Sequence, residues 1–260
     1  MALHHFFLEG QTLAGIDEAS FVLSLSDDDL RHAQVLRLRR GEHISVIDAA
    51  QDYFECEVVR FSPSELEVRI AQRGQTHAAL PQVVLAQGIA KGPKMDQIVR
   101  QATELGVCGF LPFVCERSVV RLDEARGQSR SGRWQQVAKS AAMQSGQERV
   151  PDVAAPMSVV SLCERLASAA AVAVCWEETQ EGSLKGLIRC ALDTFGGSLE
   201  GRQVVVVVGP EGGLAKGEVE AFLAANPLAQ AVTLGPSILR TETAGVVACA
   251  LALYELGALQ

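Results

Sequence analysis

Five consecutive valines, Val204 to Val208, run directly into Gly209-Pro210-Glu211-Gly212-Gly213. The apolar β-branched run reads as a strand and the glycines as a sharp turn that permits close backbone approach to a ligand. The surrounding pattern says what kind of sheet this strand joins. Val83 to Ala86 reads as a strand, and Met95, Ile98, Val99, Ala102 and Leu105 then recur at helical spacing until Gly106. Strands follow at Gly109 to Cys115, Ala170 to Cys175, Gln203 to Val208 and Ala231 to Leu234. Helices fall at Gly132 to Gln144, Val159 to Ser168, Lys216 to Ala225 and Thr241 to Leu256. This alternation predicts an α/β domain with a mostly parallel sheet.

The first 75 residues follow another rule. Ile44 to Ile47, Phe54 to Val59 and Leu66 to Ile70 are short β-prone runs, the last two alternating apolar and polar as half-buried strands do. A small β-barrel is expected there. The polar stretch Arg73 to His77 interrupts the pattern before Pro81, which puts a boundary near residue 75 and divides the chain into domains 1–75 and 76–260. No apolar stretch is long enough to span a bilayer and no basic-then-apolar leader opens the chain, so a soluble, cytoplasmic protein is expected. The seven cysteines are scattered without a C-x-x-C pair, which argues for reduced core thiols and against a disulfide framework or a metal site.

The net charge of −8 argues mildly against a nucleic-acid partner, but it is unevenly spread. Residues 1–75 carry 7 Lys and Arg against 13 Asp and Glu, whereas residues 91–149 carry 10 against 6. Within the acidic segment, Arg31, Arg37, Arg39 and Arg40 stand together without an intervening acid.

Parallel α/β sheets bind ligands at the carboxyl ends of their strands, so the loops leaving Val208 and Leu234 are the places to look. The first lacks the G-x-G-x-x-G of a dinucleotide fold, and Leu214 and Gly217 break a P-loop. Alone it could be a bare strand-to-helix turn. The next strand, however, also ends in a Gly-Pro turn, Leu234-Gly235-Pro236-Ser237-Ile238-Leu239-Arg240, which leads into Thr241-Glu242-Thr243-Ala244. Thr241 and Glu242 suit a helix start, whereas Arg240 is a cation at the positive end of a helix dipole and calls for an anionic or electron-rich group nearby.

These two turns, with His32 to Gly41, Lys91 to Asp96, Ala102 to Val107, Glu116 to Val120 and Gln144 to Gly146, resemble the 16S rRNA uracil-N3 methyltransferase (RsmE-type) family of the SPOUT superfamily. The resemblance covers nearly the whole chain. It implies a PUA-like β-barrel for RNA, then a SPOUT-type α/β domain whose C-terminal chain threads a trefoil knot around S-adenosyl-L-methionine. It implies a homodimer acting on 16S rRNA within the small ribosomal subunit or a late precursor, with no membrane or metal partner. His5, Gln101, Met143, Gln147 and Ser237 depart from the family pattern, which more often has charged residues there.

The resemblance assigns the cofactor to Val208, Gly209, Gly212, Gly213, Leu234, Gly235, Pro236, Ser237, Ile238, Leu239, Thr243 and Ala244. Methylation at a uracil N3 requires loss of a proton and leaves negative charge on the ring, which Arg240 is placed to stabilise. Glu211 or Glu242 would take the proton if burial raised its pKa, although Glu211 also reads as a helix cap. All five histidines lie at or before the domain boundary. Arg31, Arg37, Arg39 and Arg40, with Lys91, Lys94, Arg117 and Arg121, are the candidate phosphate contacts. Aromatics are only 5% of the chain, favouring recognition of a folded RNA's shape over stacking of many bases. The rival readings are a methyltransferase for another rRNA or tRNA nucleotide, a nucleotide-dependent α/β enzyme and a non-catalytic RNA-binding protein.

Overall fold

The computed structural model describes residues 3–74, 81–118 and 124–259, and for residues 124–126 the backbone alone. The chain divides into two units, Met1–Ala78 with Ala142–Val150, and Ala79–Ala141 with Pro151–Gln260. The short later segment of the first unit contributes Ala142 and Met143 to its core.

The first unit is built on β1 (His4–Phe7), β2 (Phe21–Val22), β3 (His43–Ile47), β4 (Tyr53–Ser62) and β5 (Glu65–Arg73), with helix α1 (Asp27–Leu36) between β2 and β3. The sheet order is β1-β3-β4-β5-β2, antiparallel except for the β1–β3 pair. Alternation in β4 buries Phe54, Cys56 and Val58 on the face shared with Phe6, Ile44, Val46, Leu66 and Val68. No pairing joins β1 to β2 among the described residues, so an open five-stranded sheet, irregular between β4 and β5, stands where a barrel was expected. Three elements escaped the sequence reading: β1 and β2, which are very short, and α1. Helix α1 is announced by Ser26, whose hydroxyl accepts the Asp29 N–H at 3.2 Å while the Asp29 carboxylate accepts the Ser26 N–H at 3.4 Å.

The second unit alternates as expected. Its strands are β6 (Gln82–Gly88), β7 (Gly109–Val114), β8 (Asp152–Val153), β9 (Met157–Ser158), β10 (Ala171–Cys175), β11 (Gln203–Val208) and β12 (Ala229–Val232). The helices are α2 (Lys94–Leu105), α3 (Glu124–Ser145), α4 (Val159–Leu166), α5 (Leu184–Thr194), α6 (Lys216–Ala225) and α7 (Thr241–Glu255), the last turn of α3 falling in the first unit. Every recorded strand pair is parallel, in the order β12-β10-β11-β6-β7-β8 with β9 also on β7.

The valine run follows from this layering. β11 lies between β10 and β6, and all five valines are at most 3% exposed. Val205 and Val207 point to the side packed by Leu162 and Leu166 of α4 and by Val219 and Phe222 of α6, while α7 also packs on β11 and β6. A strand buried on both faces carries no alternation. Strand β12 begins and ends two residues earlier than expected, because it pairs only with β10 and stops at Val232 opposite Cys175, where β10 stops. Helix α5 was missed, although Leu184, Leu187, Ile188 and Ala191 line its buried face at helical spacing.

Candidate active site

The carboxyl ends of β10, β11 and β12 lie side by side and deliver three loops that enclose a cavity of about 380 Å³. Of the twelve residues expected to hold a cofactor, ten line it: Val208, Gly209, Gly213, Leu234, Gly235, Pro236, Ser237, Ile238, Leu239 and Ala244. Gly212 and Thr243 do not. Gly212 instead faces the loop after β7, where an added Cβ would lie 3.0 Å from Arg117 Cβ and carbonyl oxygen. The sequence reading missed Trp176 and Glu177, which follow β10 and complete the wall. The rule that sent attention to the ends of β11 and β12 applies equally to β10, but no glycine marks that loop.

The turn after β11 is seated by close contacts. A Cβ at Gly209 would lie 2.9 Å from the Gly213 carbonyl carbon and 3.0 Å from the Leu214 nitrogen. At Gly88, the last residue of β6, a Cβ would lie 2.5 Å from Pro210 Cδ and 2.7 Å from its nitrogen. A side chain at either position would push the turn away. Gly213 has φ of +70°, and its missing Cβ leaves room for the Glu177 carboxylate. Gln87, wholly buried, donates from Nε2 to Thr241 Oγ1 at 3.0 Å and to the Gly209 carbonyl at 3.3 Å. Thr241 Oγ1 in turn donates to that carbonyl at 2.6 Å. Thus Thr241, expected only as a helix-starting residue, ties the two glycine turns together.

The charged residues depart from expectation in an informative way. Lys94 Nζ lies 3.1 Å from Glu211 Oε1 and 3.1 Å from Glu242 Oε2, and Glu211 also accepts the Lys91 N–H at 3.1 Å. Burial pushes the Glu211 carboxyl up, but backbone hydrogen bonds and Lys94 outweigh it and leave the carboxyl below its ordinary value. Glu242 is likewise lowered, first by its own backbone N–H and then by Lys94. The expectation that burial would raise either carboxyl towards neutrality is therefore corrected: the compensating cation was not anticipated. Glu211 lines the cavity, whereas Glu242 does not. Arg240 is the N-cap residue of α7 and lines the cavity, and no hydrogen bond or ion pair engages its guanidinium among the described residues. Among the described residues Trp176 Nε1 is buried without a partner.

The expected phosphate contacts divide similarly. Arg31 is paired with Asp28 and Lys94 with its two carboxylates, so neither offers a free charge. Arg117 Nη1 donates to the Gly212 carbonyl at 3.3 Å. Arg37 caps α1 with φ of +55°, and Arg37, Arg39 and Arg40 have no ion-pair partner among the described residues. Lys91 is exposed, and Arg121 lies outside the described residues. Among the described residues no group of three or more His, Cys, Asp or Glu is arranged to hold a metal, and no helix is long and apolar enough to cross a membrane.

Comparison with known proteins agrees with this geometry. The family described as RNA methyltransferase domain matches residues 77–253. The ribosomal RNA small subunit methyltransferase E of Bacillus subtilis (strain 168) is 33% identical over 257 residues, covering 97% of each chain. Its namesake in Mycobacterium tuberculosis is 34% identical over 226 residues, covering 85% of this chain and 82% of the relative. The crystal structure of the ribosomal RNA small subunit methyltransferase E from Neisseria gonorrhoeae, bound to S-adenosyl methionine, superposes with a TM-score of 0.77 at 28% identity, covering 96% of this chain and 97% of that one. With identity above 30% along almost its whole length, this chain belongs to the ribosomal RNA small subunit methyltransferase E family of RNA methyltransferases.

Proposed function

We propose that the protein transfers a methyl group from S-adenosylmethionine to N3 of one uridine in 16S rRNA. The observation that carries this reading is the Arg240 guanidinium, without a partner among the described residues, on the wall of a cavity enclosed by the two glycine turns and the loop after β10. The cavity suits the cofactor: its size is that of a small-molecule site, and Val208, Leu234, Ile238 and Leu239 offer apolar surface. The buried Trp176 Nε1 and the backbone of Gly209, Gly213 and Gly235 supply polar groups beside it. When bound, S-adenosylmethionine supplies a methyl group made electrophilic by its sulfonium. The role of the protein is to exclude water, align the uracil and stabilise the charge left when N3 loses its proton. Arg240 does the last of these, projecting from the positive end of α7, where both the cation and the helix dipole favour an anion. Glu211 and Glu242, held ionised by Lys94, act less as bases than as anchors.

The first unit acts as a PUA-like RNA-binding domain, 1–75 in the main, with Arg37, Arg39 and Arg40 as its free cations and a curled sheet supported by the irregular β4–β5 pairing. Residues 76–260 form the SPOUT-type methyltransferase domain. Its trefoil knot is supported by the path after β12, which returns from the sheet edge, past the loops after β10 and β11, to α7 on β11 and β6. A homodimer is supported by Leu251 and Tyr254, exposed on α7, and by Ile238, 85% exposed at the rim of the cavity. The substrate is 16S rRNA in the small subunit or a late precursor, in the cytoplasm.

Calorimetry with S-adenosylhomocysteine tests the cofactor directly. Heat of binding is expected for the wild type and for Arg240→Ala, with single-turnover methylation by the variant reduced about 10²- to 10³-fold. No heat, or a melting temperature raised by ATP or NAD instead, would overturn the reading. Equal loss of binding and turnover in the variant would remove Arg240 from its electrostatic role.

A further inference from the structure

Lys94 is the first residue of α2, where a cation meets the positive end of a helix dipole and is disfavoured. It sits there with its ammonium shared between two carboxylates from distant parts of the chain, Glu211 on the turn after β11 and Glu242 in the first turn of α7. Three segments thus meet at one charge. The Lys91 N–H, bound to both oxygens of Glu211 at 3.1 and 3.3 Å, adds a backbone tether to the same joint. A phosphate would find two anions already closing around this lysine.

The position of the joint gives it a consequence for Arg240. The Arg240 carbonyl accepts the N–H groups of Thr243 at 2.9 Å and Ala244 at 2.7 Å, so its backbone is part of the turn that holds Glu242. Its side chain has no partner of its own among the described residues. The direction of the guanidinium therefore depends on how that turn is held. We propose that Lys94 is a positioning residue for methyl transfer: by bridging Glu211 and Glu242 it locks the turn after β11 to the start of α7, and so fixes the approach of Arg240 to the reacting base. This rests on the reaction proposed above.

Among the described residues the charges beside the joint are these, with Arg117 also donating to the Gly212 carbonyl next to Glu211. Glu242 feels Lys94 and Glu211, and Lys94 feels the two carboxylates. Lys91 precedes the joint in the loop entering α2, Arg240 precedes it on α7, and Asp96 on the same helix as Lys94 is taken up by Arg133. Removing the ammonium leaves two like charges without their shared counter-ion, and both carboxyls must then titrate higher.

The test compares Lys94→Met, Lys94→Arg and Glu242→Gln with the wild type. In the cofactor-free protein, ¹³C NMR of the glutamate carboxyls should show Glu211 and Glu242 titrating below ordinary glutamate, and moving up in Lys94→Met. Single-turnover methylation by Lys94→Met should fall roughly 10- to 100-fold, as expected when a reacting group is displaced by about 1 Å. Its acid limb should shift to higher pH, S-adenosylhomocysteine affinity should fall clearly less than the rate does, and Lys94→Arg should recover most of the rate. Glu242→Gln, which keeps the size and shape of the side chain, should also slow the reaction. Unmoved carboxyl titrations, an unchanged rate and acid limb, or parallel losses of rate and cofactor affinity without rescue by arginine would each overturn the proposal. A wild type that methylates nothing would sink the reaction itself while leaving the NMR outcome to stand.

Discussion

Gly88→Ala is the sharpest structural perturbation available near the site, because the new methyl would meet atoms that cannot rotate away. It would lie 2.5 Å from the Pro210 ring and 2.7 Å from the Pro210 backbone nitrogen, while β6 is held in register on one side by β11 and on the other by β7. The turn must retreat by several tenths of an ångström or the strand must bend. Overpacking a rigid site costs about 1–3 kcal/mol, and a backbone neighbour places this one towards the upper end. Gly217→Ala serves as the opposite case: a Cβ there meets nothing within 4 Å, and exchanging glycine for alanine in a helix is worth up to about 1 kcal/mol. Urea unfolding should show a lower midpoint for Gly88→Ala with unchanged slope, and an equal or higher midpoint for Gly217→Ala. Because the displaced turn lines the cavity, S-adenosylhomocysteine binding to Gly88→Ala should weaken by about tenfold or more, equivalent to about 1.4 kcal/mol. Wild-type stability and affinity in Gly88→Ala would refute the close seating of the turn on β6.

Replacing Arg37, Arg39 and Arg40 together by glutamine should weaken RNA binding and flatten its salt dependence by about 0.7–0.9 in log–log slope per lost phosphate contact, whereas Arg31→Gln, already paired with Asp28, should change neither. Leu251→Arg with Tyr254→Arg should convert a dimer to monomers in analytical ultracentrifugation, and an unchanged sedimentation coefficient would contradict the α7 interface. His5 and His32 are both lowered from the ordinary value of 6.5, first by burial, so the folded state favours their neutral forms. Their contribution to stability is complete above that value and lost as pH falls through their lowered folded values. The melting temperature should therefore drop on mild acidification, and His5→Gln with His32→Gln should flatten that drop.

Much of the order of strands and helices in residues 82–255 was legible because its signals are local: the valine run of β11, the spacing of Met95 to Leu105, the Gly106 stop. Some of what escaped was short, as with β1, β2, β8 and β9, or decided by a partner far away in sequence, whereas α1 and α5 escaped although the Ser26 cap and the spacing of Leu184, Leu187, Ile188 and Ala191 mark them locally. β12 ends where β10 ends, and nothing local marks that point. The same divide runs through the site. Arg240 could be singled out because its conflict with the helix dipole is local. Lys94 carries the same conflict, but its resolution by Glu211 and Glu242 spans more than a hundred residues, so it read as a candidate phosphate contact. Gln87 stands one residue beyond the strand expected from Val83 to Ala86, and only the fold brings its amide to Gly209 and Thr241.

The proposed reaction places a methyl group on N3 of a uridine in 16S rRNA. Mass spectrometry of 16S rRNA from a strain lacking the gene, beside the parent and a strain complemented with wild type or Arg240→Ala, measures it directly. One N3-methyluridine should vanish on deletion, return with the wild type and stay absent or sparse with the variant. A full complement of methyluridine in the deletion strain, or loss of a methyl group from a different base or a tRNA, would contradict it.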